Sequence, residues 1–227
     1  FILPALCVLG LPVWRVIHAN SRVEAAGVFG AAGFGWFLAS TFWVSNALIV
    51  SAPALWFLTP FVALMLALIL SIFWAVAAAA SWIPYASALV RALCLIAAFS
   101  VIEWSRSFIA TGFPWSLMGG IFAVNLSSLQ MASIIGVYGL TLLAFGCVIA
   151  PLLWVLSVRR LALVFLMLPV LGTLWGNVRL DSQQDVPTAM APVVRLVQPA
   201  VPQQDKWNHQ KRSAHLDSLI DLSKAGT

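Results

Sequence analysis

The sequence predicts a mostly α-helical protein, in which a multi-span membrane domain is followed by the start of an α/β domain. Hydrophobic residues make up 62% of the 227 residues and charged residues 8%, against roughly a quarter charged in ordinary soluble domains. Only eight Asp, Glu, Lys or Arg residues lie between Phe1 and Asn177. Residues 178–227 are different, because they hold six of the twelve Lys and Arg and five of the seven Asp and Glu.

Six apolar segments are long enough, or nearly so, to cross a bilayer at roughly 20 residues per span. They run over residues 1–14, 26–50, 56–80, 88–108, 129–157 and 161–177. The last segment is short because Pro169 and Gly172 blur its limits. Residues 1–177 are therefore predicted to form a membrane domain with about six transmembrane helices.

The arginines predict which side of the membrane each connection occupies. Five of them flank the apolar segments on one side, namely Arg15, Arg22, Arg91, Arg159 and Arg160. The short connections on the other side have Arg106 as their only cation. By the positive-inside rule the five-arginine side is cytoplasmic, so everything after Asn177 is expected to be extracytoplasmic.

The polar tail predicts a linker, a strand and a helix. Residues 178–192 are polar and contain Pro187 and Pro192, as is typical of a linker. The run Val193–Val197 is rich in β-branched residues and is expected to form a short strand. From Asn208 onward, apolar residues recur at helical spacing on one face. Residues 193–227 are therefore expected to be the first strand and helix of an α/β domain.

Several classes of function do not fit the sequence. The formal net charge of +5 is spread singly or in pairs rather than over one basic face, so nucleic acid is not an expected partner. Cys7, Cys94 and Cys147 lie in apolar runs without paired or metal-ligand spacing, so neither a disulfide nor a zinc site is expected. His209 and His215 do not share one helical face. No metal and no other cofactor is expected.

Glu103 and Arg106 are the most informative polar pair, because a charge at membrane depth is costly and usually has a function. They lie three residues apart near the end of a predicted span, close enough on a helix to pair. Three interpretations remain open at this point. The pair could be a helix-end salt bridge, could orient a phospholipid head group, or could brace the loop that follows.

The segment Gly112-Phe113-Pro114-Trp115 is expected to break the helix, since Pro114 lacks a backbone donor and restricts the residue before it. One interpretation is an aromatic anchor at the membrane interface. The other is a loop that lines a lipid-accessible cavity, because irregular backbone at membrane depth needs protein or a water-filled site around it. In the tail, Lys206-Trp207 places another large aromatic side chain on a loop, where packing beneath the domain is the plain structural interpretation.

Four sets of residues in the same order resemble the motifs of the apolipoprotein N-acyltransferase family. They are Gly33-Phe34-Gly35 with Trp43 and Asn46; Glu103-Trp104-Ser105-Arg106 leading to Thr111-Gly112-Phe113-Pro114-Trp115; Gly136-Val137-Tyr138-Gly139-Leu140; and Val194-Arg195-Leu196-Val197-Gln198-Pro199 followed by Val201-Pro202-Gln203 and Lys206-Trp207. The resemblance covers nearly the whole chain. One departure is Ala200, which stands where the family usually carries Asn.

The resemblance implies an eight-helix membrane domain with an extracytoplasmic nitrilase-like α-β-β-α domain inserted between helices seven and eight. The six predicted spans would be helices two to seven. It also implies a transferase of the bacterial inner membrane that acts in lipoprotein biosynthesis as a protein-modifying enzyme. Such enzymes move an acyl chain from a phospholipid, typically phosphatidylethanolamine, onto a cysteine as a thioester. They then pass it to the α-amino group of the diacylglyceryl-cysteine that begins an apolipoprotein.

The family's Glu-Lys-Cys triad combines a carboxylate base, a lysine that stabilises the oxyanion and a thiolate nucleophile. The resemblance places all three beyond Thr227, so the chain is expected to be truncated at both ends, to contain no catalytic residue and to be inactive by itself. Trp207 matches a family position near the active-site mouth. The other candidates for substrate binding or the active-site mouth match the motif that begins near the end of the fourth predicted span: Glu103, Arg106, Phe113, Pro114 and Trp115.

Three alternatives to acyl transfer to apolipoproteins make different demands on the sequence. A related membrane nitrilase-like acyltransferase that acts on another amine would share the scaffold and differ in its pocket. A transporter with a partner-binding tail would be expected to show internal repeats and mid-membrane charges, and neither is clear in this sequence. A purely structural anchor would not need the ordered motifs.

Overall fold

The computed structural model describes residues 2–109, 112–182, 196–202, 205–206 and 208–224, with side chains from residue 8 onward. Within these ranges the chain is mostly helical and holds no strand. The α-helices are α1 (Ile2–Ile17), α2 (Arg22–Thr41), α3 (Asn46–Ser51), α4 (Thr59–Ser81), α5 (Ala88–Ser105), α6 (Leu126–Leu129), α7 (Ala132–Val155), α8 (Arg159–Ser182) and α9 (Arg212–Lys224). Short 3₁₀ helices lie at Phe42–Ser45, Pro53–Leu58, Met118–Val124 and His209–Lys211.

Five helical regions of the described chain are long and apolar enough to cross a membrane. They are Arg22–Ser51, Pro53–Ser81, Ala88–Ser105, Ala132–Val155 and Arg159–Ser182. The first predicted span corresponds to α1. Its residues with described side chains, Val8–Ile17, make an apolar helix that is shorter than the five membrane-length regions. The mostly helical class is therefore confirmed, with five membrane-length helices where six spans were predicted.

Buried aromatic rings from four helices form the centre of the bundle. Phe29 of α2 stacks on Trp74 of α4, with ring centroids 5.0 Å apart. Trp74 contacts Phe99 of α5 at 5.3 Å, and Phe99 stacks on Phe145 of α7 at 4.1 Å. All four side chains are at most 1% exposed. Such ring pairs add to the free energy gained from burial, and they fix the position of Trp74.

Side-chain hydrogen bonds join the connections at one end of the bundle, called the arginine end because Arg15, Arg22, Arg91, Arg159 and Arg160 lie near it. Arg91 Nη1 donates to the carbonyl oxygens of Ile17 and Ala19, at 3.2 and 2.8 Å. Trp82 Nε1 donates to the same Ala19 carbonyl at 3.0 Å. These bonds tie the α1–α2 connection to the α4–α5 connection. The opposite end, which carries residues 106–131, is called the loop end.

Helix α8 extends beyond the end that the sequence suggested at Asn177 and continues to Ser182. Pro169 lies inside it and cannot donate a backbone hydrogen bond, which leaves the Phe165 carbonyl without its helical donor. The Cys147 thiol of α7 donates to that carbonyl instead, at 3.1 Å. A freed carbonyl must be satisfied within the protein at membrane depth, so the proline is tolerated and the helix is not interrupted.

The tail is described only in part. The expected amphipathic helix is present as α9 (Arg212–Lys224). Of the predicted strand, residues 193–195 lie outside the described residues, and Leu196 and Val197 have no regular secondary structure. Ala200 has a φ of 49°, in the left-handed region where Asn is strongly enriched over other non-glycine residues. This conformation would give a physical reason for the Asn that the resemblance implies at this position.

Candidate functional site at the loop end

Glu103 and Arg106 form a fully buried ion pair where α5 ends. Arg106 Nη2 lies 2.8 Å from Glu103 Oε2, and the two side chains are 0% and 1% exposed. Glu103 belongs to the last turn of α5, and Arg106 follows the helix directly. Because both charges are removed from solvent, the modest energy of an exposed surface pair does not apply to them.

Glu103 Oε1 and Arg106 Nη1 connect the pair to α4 and to the loop that follows α5, whereas Arg106 Nε is buried without a hydrogen-bond partner. Glu103 Oε1 accepts a hydrogen bond from Trp74 Nε1 of α4, at 3.1 Å. Arg106 Nη1 donates to the carbonyl oxygens of Phe113 and Trp115, both at 2.8 Å. The guanidinium carbon lies 5.0 Å from the centre of the Phe37 ring of α2, within the range of a cation–π contact.

The segment 112–117, called the motif loop, owes its shape to these bonds and to two unusual backbone angles. Gly112 has a φ of 83° and Ser116 a φ of 58°. The Phe113 backbone N–H donates to the Arg106 carbonyl at 3.0 Å. From α2, Trp36 Nε1 donates to the Ser116 carbonyl at 3.0 Å. Three carbonyls of the loop, those of Phe113, Trp115 and Ser116, are thus bound by the side chains of Arg106 and Trp36.

The aromatic side chains of the motif loop face outward. Trp115 stacks on Trp43, with ring centroids 5.3 Å apart and an interplanar angle of 14°. Phe113 contacts Trp115 at 5.3 Å and packs partly against the core. Both tryptophans are 49% exposed, and Pro114 is exposed as well. The geometry therefore combines an interfacial aromatic surface with a backbone that the buried ion pair braces from inside.

A second group of contacts brings the segment Gly136–Leu140 to the same end. Ser107 Oγ and the Tyr138 hydroxyl lie 2.5 Å apart and share a hydrogen bond. Gly136 has a φ of 65°, which kinks the first turns of α7. Further along, the Gly119 backbone N–H donates to Thr141 Oγ1 at 3.2 Å. Two of the segments that carry the family resemblance are therefore neighbours in space.

The structure adds three residues that the sequence analysis did not select for this site: Trp36, Phe37 and Trp74. One signal could have indicated the tryptophans, because an indole N–H that is buried in an apolar span requires an acceptor. Phe37 carries no comparable signal. Trp207 and Thr111 lie outside the described residues, so their positions relative to Arg106 stay predictions.

Gly33 allows α2 to approach Trp74, and this contact supports a testable prediction. A Cβ atom at position 33 would lie 3.0 Å from both Cβ and Cγ of Trp74, whereas a Cβ at Gly35 would meet nothing within 4 Å. We expect Gly33→Ala to push Trp74 away from Glu103 and to destabilise the bundle by about 1–3 kcal/mol. The thermal unfolding midpoint in detergent measures the effect.

The matched control is Gly35→Ala, two residues along the same helix. It is expected to leave the midpoint unchanged or to raise it, since Ala favours helix by up to about 1 kcal/mol over Gly. Equal midpoints for Gly33→Ala and Gly35→Ala would show that the bundle adapts to a methyl group beneath Trp74.

Comparison with known proteins gives the family of this chain. A family model described as the apolipoprotein N-acyltransferase N-terminal domain matches residues 1–150. The chain belongs to the apolipoprotein N-acyltransferase family. This match confirms the resemblance found in the sequence motifs. The five membrane-length helices and the family together make the chain a multi-pass membrane protein.

Curated relatives named apolipoprotein N-acyltransferase match most of this chain. The protein from Allorhizobium ampelinum is 36% identical over 200 residues, which are 86% of this chain and 37% of the relative. The Brucella suis protein is 33% identical over 93% of this chain and 42% of its own length. The Rickettsia bellii protein is 32% identical over 99% and 45%. The chain thus spans about two fifths of the length of these relatives. No solved structure matches it.

Proposed function

We propose that the protein containing this chain N-acylates the amino-terminal diacylglyceryl-cysteine of apolipoproteins with an acyl chain taken from a phospholipid. The observation that carries the proposal is the family match over residues 1–150, with relatives of that name covering 86–99% of the chain. The membrane-length helices support it, because both a phospholipid donor and a lipid-anchored acceptor are located in the bilayer.

In the proposed reaction a cysteine thiolate attacks the ester carbonyl of the phospholipid. The ester bond breaks, a thioester forms, and the lysophospholipid leaves as its protonated alcohol. The free α-amine of the acceptor then attacks the thioester, so that an amide forms, the amine loses a proton and the thiolate is regenerated. Atoms and charge balance without a metal, an oxidant or a reductant.

This chain would supply the membrane scaffold for that reaction. The Glu-Lys-Cys triad would be supplied by residues of the complete protein that have no counterpart among these 227 residues. Glu103 and Cys147 are poor substitutes on physical grounds. Glu103 is bound to Arg106 and Trp74 inside the bundle, and the Cys147 thiol is bound to the Phe165 carbonyl. Neither is free to act as a base or a nucleophile.

We further propose that the arginine end faces the cytoplasm of a bacterial inner membrane and that the tail from Asp181 onward is extracytoplasmic. The positive-inside rule supports this orientation, since five arginines flank the helices at that end. The motif loop would then lie at the extracytoplasmic surface of the inner membrane, below a nitrilase-like domain. There, Phe113, Pro114 and Trp115, on a loop that the buried pair positions, would form part of the active-site mouth together with Trp207.

The test uses the complete protein that contains this chain. Phosphatidylethanolamine with an alkyne-tagged acyl chain is the donor, and a synthetic diacylated lipopeptide with a free amino terminus is the acceptor. The proposal predicts a hydroxylamine-sensitive label on the protein before the acceptor is added, and an amide-linked tag on the lipopeptide afterwards. An N-acetylated lipopeptide should receive no tag.

Other outcomes would contradict the proposal in distinct ways. Equal transfer to a simple amine without the diacylglyceryl-cysteine would favour a related acyltransferase with another acceptor. Absence of both labels would exclude acyl transfer from this donor. The isolated 227-residue chain should form no hydroxylamine-sensitive label, and a label on it would show that its own residues contain a nucleophile site.

Trp207 gives a prediction that depends on the family match. In the complete protein, Trp207→Ala is expected to lower the transfer rate more than Trp14→Ala does, because Trp207 matches a position near the active-site mouth. Trp14 is a suitable control, since it is 49% exposed near the arginine end and packs on His18 with ring centroids 4.6 Å apart. Equal rates for the two variants would assign Trp207 to packing alone.

A further inference from the structure

An apolar groove runs between α7 and α8. Its volume is about 370 Å³, and its lining is entirely uncharged: Met131, Ile134, Ile135, Gly139, Leu142, Leu143, Phe165, Leu168, Leu171 and Gly172. Its rims are open, since Ile134 is 68% and Leu171 is 59% exposed. Its floor is closed, since Met131 and Leu143 are each 5% exposed.

A backbone kink and two glycines shape the groove between the two helices. Gly136 has a φ of 65° and redirects the first turn of α7. At Gly139 an added Cβ would meet the side chain of Ile135, which lines the groove. The side chain of Met131 occupies the position that a Cβ at Gly172 would take. The groove therefore follows from the sequence of both helices and has a defined floor.

A cation lies at the loop end of this groove. Arg179, in the last turn of α8, donates from Nη1 to Ser133 Oγ, next to Ile134 on the rim. Its guanidinium carbon also lies 5.3 Å from the centre of the Trp175 ring. Trp175 is 39% exposed, and tryptophan with arginine is typical of the membrane interface. Arg179 is thus held at head-group level above apolar side chains.

The dimensions of the groove fit one leaflet of a bilayer. The groove residues Phe165 and Gly172 are seven residues apart on α8, a rise of about 10 Å at 1.5 Å per residue. Half of a hydrocarbon core of about 30 Å is about 15 Å. The side chain of Arg179 is bound to Ser133, so its guanidinium lies at the loop end of the groove. A ligand with one long apolar chain and one anionic group matches this arrangement.

We propose that the groove between α7 and α8 binds one acyl chain of a phospholipid from the leaflet at the loop end, with the lipid phosphate on Arg179. Arginine forms charge-assisted hydrogen bonds with phosphate oxygens, and the uncharged lining excludes a polar occupant. The site is separate from the Glu103–Arg106 pair. It does not depend on the proposed acyl transfer, because binding requires no reaction of the lipid.

Photolabelling of the membrane-embedded protein tests the proposal. Vesicles contain phosphatidylethanolamine with a diazirine in one acyl chain, or diacylglycerol with the same chains as a probe without phosphate. Peptide mass spectrometry then locates the label. We expect the phospholipid probe to label Ile135, Leu142 and Leu168 more strongly than other lipid-facing residues, and we expect the diacylglycerol probe not to do so.

Two variants with matched controls make the test specific. Leu171→Trp fills the groove at an exposed position and should reduce groove labelling to the level of other lipid-facing residues. Leu174→Trp is the control and should leave groove labelling unchanged, because Leu174 is 57% exposed but lies outside the groove. Arg179→Gln should weaken phospholipid labelling about fivefold, the equivalent of roughly 1 kcal/mol for one cation near the lipid surface. Arg160→Gln, at the arginine end, should have no effect.

Three results would overturn the proposal. Equal labelling by both probes would mean general contact with lipid. If Leu171→Trp leaves groove labelling unchanged, and the variant elutes from a size-exclusion column like the unsubstituted protein, the labelled lipid lies elsewhere. A protein that is dimeric in detergent and becomes monomeric with Leu171→Trp, without groove labelling, would show that a second copy of the chain covers the groove.

Discussion

Replacing Glu103 by Gln is expected to destabilise the helix bundle by about 3–5 kcal/mol, because it leaves the Arg106 guanidinium buried without a counter-charge. The side chain keeps its shape, so the change isolates the charge. Arg106 is 0% exposed and has no route to water without moving the motif loop that its Nη1 binds. The measurement is the thermal unfolding midpoint of the protein in detergent.

The chain provides a control pair with the same separation and a different environment. Lys211 Nζ and Asp205 Oδ1 also lie 2.8 Å apart, but their side chains are 50% and 22% exposed. Asp205→Asn is expected to change the free energy of unfolding by less than about 1 kcal/mol. If Glu103→Gln were as mild as Asp205→Asn, burial would not determine the energy of the Glu103–Arg106 pair.

A double-mutant cycle separates the ion pair from its other bonds. In Glu103→Gln with Arg106→Met no charge is buried, so the double variant should be less destabilised than the sum of the two single variants. Some loss should remain, because the Phe113 and Trp115 carbonyls have lost their donor. A strictly additive cycle would contradict direct coupling between the two side chains.

Gly112→Ala is expected to have the second largest effect, since two separate costs fall on the same residue. Its φ of 83° is disfavoured for a residue with a Cβ by roughly 1–2 kcal/mol. The added Cβ would also overlap the Ser107 carbonyl oxygen, and relieving such overpacking typically costs a further 1–3 kcal/mol, roughly. We expect a lower unfolding midpoint, together with a displaced motif loop.

Gly120→Ala is the control for this substitution. Gly120 lies eight residues later in the same connection, is exposed, and would place its Cβ in open space. It should unfold at the temperature of the unsubstituted protein. In the complete protein, Gly112→Ala should also reduce acyl transfer if the motif loop forms part of the active-site mouth. A Gly112→Ala protein as stable as Gly120→Ala would contradict the strained geometry described for the loop.

The sequence predicted the helical class from the scarcity of charge, and it predicted that Glu103 and Arg106 lie close enough on a helix to pair, which the ion pair confirms. Hydropathy depends on composition over some 20 residues, so it located the long helices within a few residues. The order of motifs predicted the family, which the match over residues 1–150 confirms. These signals are local, or they are simple sums over a segment.

Long-range partners could not be predicted in the same way. The bond from Trp74 to Glu103 joins residues 29 apart, and the bond from Trp36 to Ser116 joins residues 80 apart. The continuation of α8 through Pro169 depends on the Cys147 thiol of another helix. Hydrophobic periodicity identifies a segment as a helix but does not specify which helix satisfies a given donor, and this depends on packing.

Acylation of a reporter lipoprotein in living cells tests the central claim most directly. The complete protein containing this chain is supplied as the only apolipoprotein N-acyltransferase of a depleted bacterial strain, and the intact mass of the reporter is measured. The account predicts that the reporter gains one amide-linked acyl chain and that the cells survive depletion. A reporter that stays diacylated, while the protein accumulates normally in the membrane, would contradict the account.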